Sequence, residues 1–320
     1  MSQSTESAET DLEFSERAER HRRELHVHCY RMLGSFDEAE DAVQEVMLQA
    51  WRRRGDLERP EHLRAWLYKI ATNRCLDHLR SKQRRVATLS SYRDVPWLEP
   101  YPDQLLAKAA PTEAQPDAAV VAAETIGLTF LAVLQLLPAR QRATLVLRDV
   151  LDWPATEVAE LFELSVPAVN SALQRARATV RDALPVDERD QWEHDRRAAV
   201  DADVLARYIS AYESGDTDAT LALLAEDIRV TMPPAPYLFE GRDTVRGLAV
   251  RAREFGEWRL VPTRANAQPA AACYLRSEND VEFRAYKIDV LDVAADGTIR
   301  AITTFGVKHF EAFGLAAVLA

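Results

Sequence analysis

The chain has 320 residues, of which 47% are hydrophobic and 28% charged, and its formal net charge is −11. This composition predicts a globular protein of two or three domains and argues against one that coats nucleic acid non-specifically. No stretch approaches the roughly 20 apolar residues of a membrane span, and the acidic N-terminus lacks the apolar core of a signal peptide. We therefore expect a cytoplasmic protein with no membrane partner.

The cysteines and histidines of the chain predict neither a disulfide framework nor a metal site. Cys29, Cys75 and Cys273 are odd in number and far apart, which is not the pattern of a disulfide scaffold. His26, His28 and Cys29 lie within four residues, whereas structural zinc takes four ligands at longer spacings. We expect no metal and no cofactor.

A first helical domain is predicted for residues 20–85, after an acidic N-terminus, residues 1–19, that is expected to be disordered. Within the domain, residues 36–53 have apolar side chains at helical spacing. This helix opens with an acidic turn, which the helix dipole favours.

The next helix of this domain reverses the charge. Residues 1–61 hold 15 acidic and 9 basic side chains, whereas residues 62–85 hold 7 basic ones and the single acid Asp77. Trp66 and Tyr68 are interleaved with the basic residues of this helix. Basic and aromatic side chains together are typical of surfaces that bind phosphates and stack unpaired bases.

Residues 86–118 are predicted to form a linker. Five of the chain's 15 prolines fall within 21 residues there, and proline at that density sustains neither a helix nor a central strand. The linker also carries the large apolar side chains Trp97, Leu98 and Tyr101. Because exposing such groups to water is unfavourable, we expect this segment to dock on another part of the protein.

A second helical domain is predicted for residues 119–184, and its last two helices have the short connection of a helix-turn-helix. In the first helix of the pair, Ala155, Val158, Leu161 and Phe162 form one apolar stripe. Ser165 is a good N-cap for the following helix, and Pro167 is tolerated in its first turn.

The second helix of this pair has an apolar side and a polar side. The polar side carries the side-chain types that suit base edges and phosphates in a major groove: Asn170, Ser171, Gln174, Arg175, Arg177 and Arg181. A solvated face of an ordinary helical hairpin is the alternative interpretation. Against it, the outward face lacks the mixed-sign charges usual on solvated helices.

After a charged linker at residues 185–197, residues 198–320 are predicted to form an α+β domain. Two helical segments precede five runs of strand character. The last two runs are joined by Ala-Ala-Asp-Gly, which predicts a hairpin.

Two long segments carry a resemblance to a known family. ELHVHCYRMLGSFDEAEDAVQEVMLQAWRR followed by LRAWLYKIATNRCLDHLR resembles the second domain of an extracytoplasmic-function (ECF) sigma factor of the sigma-70 class. LPARQRATLVLRDVLDWPATEVAELFELSVPAVNSALQRAR resembles the fourth sigma domain. The two matches have the right order and together cover about residues 20–184.

The resemblance implies a role for each helical face. It implies contact with core RNA polymerase by Asp37, Asp41, Gln44, Glu45 and Trp51. It implies contact with the melted −10 promoter element by Trp66, Lys69, Asn73, Arg74, Asp77 and Arg80. The polar side of the last helix would read the −35 element from the major groove. One departure is Asn170, where such sigma factors commonly carry a lysine.

Residues 198–320 resemble the SnoaL-like or ketosteroid-isomerase-like cone fold, whose curved sheet encloses a pocket. Sigma factors with this extension form a known type in which it is viewed as a built-in modulator, and PWLEPYPDQL resembles a linker motif of that type. A small-molecule ligand in the cone is a further expected partner. Enzymes of this fold place acids and tyrosines in the pocket, and the candidates here are Tyr208, Asp227, Tyr237, Glu282, Tyr286, Asp289 and His309. No pair of them is marked as a dyad, so no catalysis is expected.

The predicted fold is multidomain: two all-α domains, sigma domain 2 and the helix-turn-helix sigma domain 4, followed by an α+β SnoaL-like cone. The predicted function is promoter-specific transcription initiation with core RNA polymerase on promoter DNA, modulated by the C-terminal domain. Two alternatives are a helix-turn-helix regulator that acts without polymerase and an enzyme whose site lies in the cone. The first alternative has no need of a polymerase-docking helix or a basic–aromatic helix.

Overall fold

The computed structural model describes residues 2–57, 59–86, 95–106, 126–183 and 194–319. It divides into two compact units, which we call the helical unit (Met1–Val95 with Leu105–Val186) and the cone unit (Pro96–Gln104 with Asp187–Ala320). The predicted order of helical domains followed by an α+β domain is confirmed. None of the helices in the described ranges combines the length and apolarity that crossing a bilayer requires.

The N-terminal part of the chain is helical. In chain order the elements are α1 (Ser2–Glu19), α2 (Arg22–Leu33), α3 (Phe36–Arg52), α4 (Leu63–Val86), α5 (Asp103–Leu106), α6 (Leu128–Leu136), α7 (Ala139–Leu145), a π-helical turn (Val146–Val150), α8 (Ala155–Phe162) and α9 (Val166–Ala183). Helices α2, α3 and α4 pack together, and Leu25, Val43 and Leu67 are fully buried between them.

The N-terminus forms a helix, so the prediction that residues 1–19 are disordered was wrong. Phe14 of α1 contacts the rings of Trp51 and Trp66 at centroid distances of 6.4 and 6.5 Å. Asp11 accepts two hydrogen bonds from Arg54, the shorter of 2.6 Å. These aromatic contacts and this ion pair hold an acidic helix on α3 and α4.

Arg142 of α7 connects the ends of two helices within the helical unit. Arg142 is only 1% exposed. It donates to the carbonyl of Met32 at the end of α2, and to the carbonyls of Gln135 (2.9 Å) and Leu137 (3.2 Å) at the end of α6. The last carbonyls of a helix lack partners within the helix, and a cation near them is favourable. Arg142 therefore caps both helices and holds α6 and α7 against α2.

Helices α8 and α9 form a helix-turn-helix. The chain leaves α8 at Glu163, whose φ of 55° lies in the left-handed region. Helix α9 then buries Val169, Leu173 and Ala176, which belong to its predicted apolar side. Residues 119–125, the predicted beginning of this domain, lie outside the described residues.

The cone unit packs helices against one seven-stranded sheet. The helices are α10 (His194–Ser214), α11 (Thr217–Ala222) and α12 (Arg242–Glu254). The strands are β1 (Leu224–Met232), β2 (Ala235–Glu240), β3 (Glu257–Ala265), β4 (Gln268–Arg276), β5 (Phe283–Val293), β6 (Ile299–Gly306) and β7 (Val318–Leu319). The order is β2-β1-β6-β5-β4-β3, with β7 on β5. The pair β1–β6 is parallel and the other pairs are antiparallel.

The five predicted strand runs are found as β1, β3, β4, β5 and β6, and the predicted hairpin joins β5 to β6. The sequence pattern missed β2 and β7, because β2 does not alternate and β7 has two residues. Asp227, one of the candidate pocket acids, follows the end of α11 at Ala222 and lies exposed on β1.

Part of the proline-rich linker packs within the cone unit, at the turn between β3 and β4. The backbone N–H of Tyr101 donates to Asn266 Oδ1 at 2.8 Å, and the N–H of Asn266 donates to the Tyr101 carbonyl at 2.9 Å. Asp103 accepts hydrogen bonds from Arg264 Nε at 3.1 Å and from the N–H of Ala267 at 2.8 Å. The apolar linker side chains are buried or half-buried: Tyr101, Leu98 and Trp97.

Candidate nucleic-acid interface

The polar side of α9 is accessible along its whole length. Its six predicted DNA-contacting residues are all exposed: Asn170, Ser171, Gln174, Arg175, Arg177 and Arg181. They form two flanks, because residues three or four apart share one side of a helix. The helix thus presents amide, hydroxyl and guanidinium groups opposite its buried residues.

One arginine of this face is held by a carboxylate from outside α9. Arg177 donates from Nε to Asp149 Oδ2 at 2.8 Å and from Nη2 to Asp149 Oδ1 at 2.6 Å. This hydrogen-bonded ion pair raises the pKa of Arg177. Asp149 lies in the π-helical turn, in which the N–H of Leu151 donates to the carbonyl of Val146 at 3.0 Å. Sequence reasoning missed Asp149, because no periodicity marks a π-turn.

The residues predicted to meet the −10 element lie on α4. Four of them are exposed: Lys69, Asn73, Asp77 and Arg80. Asp77 and Arg80 form an ion pair of 2.7 Å. Arg74 forms an ion pair with Glu45 of α3, so a residue predicted to contact DNA meets one predicted to contact polymerase. Trp66 is half-buried beside Phe14.

Tyr68 belongs to the core, which corrects its interpretation as part of the basic–aromatic face of α4. It is 2% exposed, and its ring lies 6.0 Å from that of Trp153. Its hydroxyl donates to Glu24 at 3.0 Å. Burial is the main cause that raises the pKa of Tyr68. Of the two aromatic residues, Trp66 is therefore the partly exposed one.

The predicted polymerase-contacting residues lie on α3. Asp37, Asp41, Gln44 and Glu45 are exposed, whereas Trp51 is half-buried with Arg54 stacked 4.3 Å from its ring centroid. The structure adds Leu48, which is 56% exposed. It lies in a surface groove of about 380 Å³ lined by Glu45, Leu48, Gln49, Arg52, Arg53 and Arg74. Leu48 lies off the apolar stripe of α3, and this position in the sequence indicates an exposed leucine.

A polar cluster lies inside the cone unit, around the fully buried Asp289 of β5. Lys287 Nζ lies 2.7 Å from Asp289 Oδ2. The hydroxyls of Tyr208 and Thr304 donate to the same carboxylate at 3.1 and 2.7 Å. The thiol of Cys273 contacts it at 3.5 Å. Four side chains from a helix and three strands thus surround one carboxylate.

The charges within this cluster stabilise one another. Burial by itself would lower the pKa of Lys287, but Asp289 holds it well above its usual value. Lys287 also lies over the rings of Tyr212 and Trp258, at 5.1 and 5.8 Å from their centroids. Burial raises the pKa of Cys273, so its thiol stays protonated. The lysine is therefore a cation and the cysteine a neutral thiol at neutral pH.

Only some of the residues predicted to line a pocket of the cone meet in this cluster. Tyr208 and Asp289 are in contact, as described. The other candidates lie elsewhere on the unit: Asp227, Tyr237, Glu282 and Tyr286 are exposed, and His309 is buried against Phe305. Sequence reasoning missed Lys287, although its spacing of two residues from Asp289 on a strand places both on one face.

The histidines of α2 are buried within the helical unit, where they contact protein side chains. His28 Nε2 is hydrogen-bonded to Thr72 Oγ1 at 3.0 Å, and its ring packs on Tyr68. Burial lowers the pKa of His28 to about 3 and that of His26 to about 4. Within the described residues no cluster of three or more His, Cys, Asp or Glu side chains is arranged to hold a metal ion.

Comparison with known families covers most of the chain. The model of Sigma-70 region 2 matches residues 18–85, and that of Sigma-70 region 4 matches residues 128–180. The model of the SnoaL-like domain matches residues 205–302. The three matches have the order that the sequence resemblance predicted.

Individual relatives match from about two thirds to almost the whole of the chain. The ECF RNA polymerase sigma factor SigG of Mycobacterium tuberculosis is 39% identical over 323 residues, which cover 95% of this chain and 84% of the relative. The sigma factor SigJ of the same organism is 33% identical over 229 residues, 68% of this chain and 66% of SigJ. The crystal structure of SigJ shares the fold, with a TM-score of 0.62 at 24% identity over 95% of this chain and 99% of that one.

Proposed function

The chain belongs to the ECF RNA polymerase sigma factors, which direct promoter-dependent transcription initiation, and we propose how its own surfaces divide this work. Core RNA polymerase docks on the exposed side of α3, the melted −10 element meets α4, and the −35 element meets α9. One observation carries this assignment: each helix turns a different and chemically distinct set of polar side chains outward.

The charges of the α3 and α9 faces agree with these roles. The α3 face exposes Asp37, Asp41 and Glu45, whereas the outward side of α9 exposes three arginines and no acid among its predicted contacts. Nucleic acid attracts cations and repels carboxylates, so α9 suits DNA and the acidic part of α3 suits a protein partner.

Run-off transcription and binding to purified core polymerase test this division. We expect Asp41→Arg to weaken core binding about tenfold, the effect of roughly 1.4 kcal/mol, with little change in the binding of −35 DNA by the holoenzyme that still forms. We expect Arg175→Ala to retain core binding and to lower promoter affinity about 5- to 150-fold, as loss of a base or phosphate contact does.

The two variants separate the alternatives. If Asp41→Arg leaves core binding unchanged and Arg175→Ala weakens it, the assignment of the faces is wrong. A full chain that binds promoter DNA but yields no transcript with core polymerase would instead favour a regulator that acts without polymerase.

We further propose that the cone unit modulates transcription through the linker. The support is the set of hydrogen bonds by which Tyr101 and Asp103 are held at the β3–β4 turn. Lys308 adds an ion pair with Glu99. Because the linker connects the two sigma domains along the chain, anchoring it limits how far those domains are free to move apart.

Asn266→Gly tests the anchor. Asn266 has a φ of 57°, which glycine adopts without strain, so the variant removes the Oδ1 acceptor and leaves the turn. We expect faster proteolysis near Tyr101 and a changed transcript yield at a fixed promoter, and Trp97→Ala is expected to reproduce part of that change. Asp296→Ala, at the β5–β6 turn, is the control. Unchanged proteolysis and yield in both linker-directed variants would contradict modulation through the linker.

We propose that the protein acts by binding and strand melting and not as an enzyme. The support is that four side chains all direct their polar atoms to Asp289: Lys287, Tyr208, Cys273 and Thr304. The polar groups of the cluster therefore bind one another within the protein. Turnover of a small molecule by the full chain, abolished in Asp289→Asn, would instead favour catalysis in the cone. A small-molecule ligand in the cone stays a prediction of the sequence.

A further inference from the structure

Asp149 lies next to the DNA-facing side of α9 without belonging to that helix. It is part of the π-helical turn Val146–Val150 that precedes α8. π-turns in α-helices are uncommon and often occur at functional sites. The side chain of Asp149 is 28% exposed and that of Arg177 is 57% exposed.

The geometry of the pair leaves one edge of the arginine open. Asp149 occupies Nε and Nη2, which form the side edge of the guanidinium. An arginine has five N–H donors in a rigid plane, so three donors on Nη1 and Nη2 remain. Two of these three donors, one on Nη1 and one on Nη2, point along the end of the guanidinium and form a pair that matches the O6 and N7 acceptors of a guanine.

The pair contributes little as a stabilising device. Exposed ion pairs are weak because water screens them and because two long side chains lose freedom. A carboxylate near a DNA-binding face also repels phosphate, which lowers affinity for any sequence. Asp149 is therefore unfavourable for general DNA binding, and its benefit must lie in fixing the orientation of Arg177.

We infer that Asp149 is a positioning residue for base readout, holding Arg177 so that its end-on edge meets one defined base of the −35 element. The inference rests on the proposed contact between α9 and the −35 element. A fixed guanidinium loses less freedom when it binds a guanine and is poorly placed for other bases. Asp149 thus raises discrimination while it lowers affinity for unrelated DNA.

Selection from a duplex library randomised across the −35 element, with holoenzyme of the full chain, tests the inference. In Arg177→Ala we expect base preference to be lost at one position. In Asp149→Ala we expect preference at that same position to fall about fivefold or more, the low end of what a bidentate contact supplies, with affinity for scrambled DNA increased. Asp149→Asn, which retains one acceptor, is expected to lie between wild type and Asp149→Ala.

Asp182→Ala is the charge-matched control. Asp182 lies on α9 and approaches Arg181 at 3.8 Å, so this variant removes the same charge without touching the Asp149–Arg177 pair. It is expected to raise affinity for all sequences and to leave the base preferences unchanged. If Asp149→Ala behaves in the same way, Asp149 is an electrostatic competitor and the inference is overturned. If Arg177→Ala leaves every base preference unchanged, the proposed contact of Arg177 with the −35 element is itself wrong.

Discussion

Replacing Asp289 by alanine is expected to lower the free energy of unfolding of the cone unit by about 3–5 kcal/mol, the usual cost of leaving one charge of a buried pair without its partner. The carboxylate is fully buried, and the side chain of Lys287 is 16% exposed. Without Asp289 the ammonium group would lie mostly buried without a counter-charge, and the hydroxyls of Tyr208 and Thr304 would lose their acceptor. Urea denaturation measures the change in stability, and hydrogen exchange of peptides from β4 and β5 locates it in the cone unit.

Two further variants show whether the charge pair is the cause. Asp227→Ala, an exposed carboxylate on β1, is expected to change stability by less than about 0.5 kcal/mol. The double change Lys287→Met with Asp289→Leu removes both charges and is expected to recover most of the loss, because apolar residues of similar volume replace buried ion pairs at little cost. A double variant as unstable as Asp289→Ala would show that the hydroxyl contacts, and not the charge pair, dominate.

Replacing Arg142 by alanine is expected to destabilise the helical unit by about 3–5 kcal/mol, because unpaired buried polar groups cost about 1–3 kcal/mol each. Three buried carbonyls would lose their side-chain donor: those of Met32, Gln135 and Leu137. Burial lowers the pKa of Arg142 to about 9, still above neutral pH, so the lost group is a cation at two helix C-termini. Hydrogen exchange should accelerate in α2 and α6 and remain unchanged in β5.

Arg142→Lys and Arg140→Ala complete the experiment. A lysine does not have the planar fork that reaches several acceptors at once, so Arg142→Lys is expected to recover only a minor part of the stability. Arg140 lies exposed on the same helix, and its removal is expected to cost less than about 0.5 kcal/mol. Equal denaturation midpoints for Arg142→Ala and Arg140→Ala would contradict the capping role.

Local patterns determined much of this protein from the sequence. The buried positions Val169 and Leu173 of α9 follow from a period of 3.6 residues, and the same period turned Gln174 and Arg175 outward. The hairpin of β5 and β6 follows from an Asp-Gly turn between alternating segments. Such features depend on residues a few positions apart, so the chain order of the domains and the polar faces were predictable.

The tertiary structure decided which side chains of a predicted face are exposed and which are instead bound to other residues of the protein. Tyr68 and Trp66 are two residues apart on α4, and packing against His28 and Trp153 makes the first a core residue. Arg142 meets Met32 across 110 positions, and Arg177 meets Asp149 across 28. Contacts over such separations depend on how helices and strands pack, and no local period carries that information.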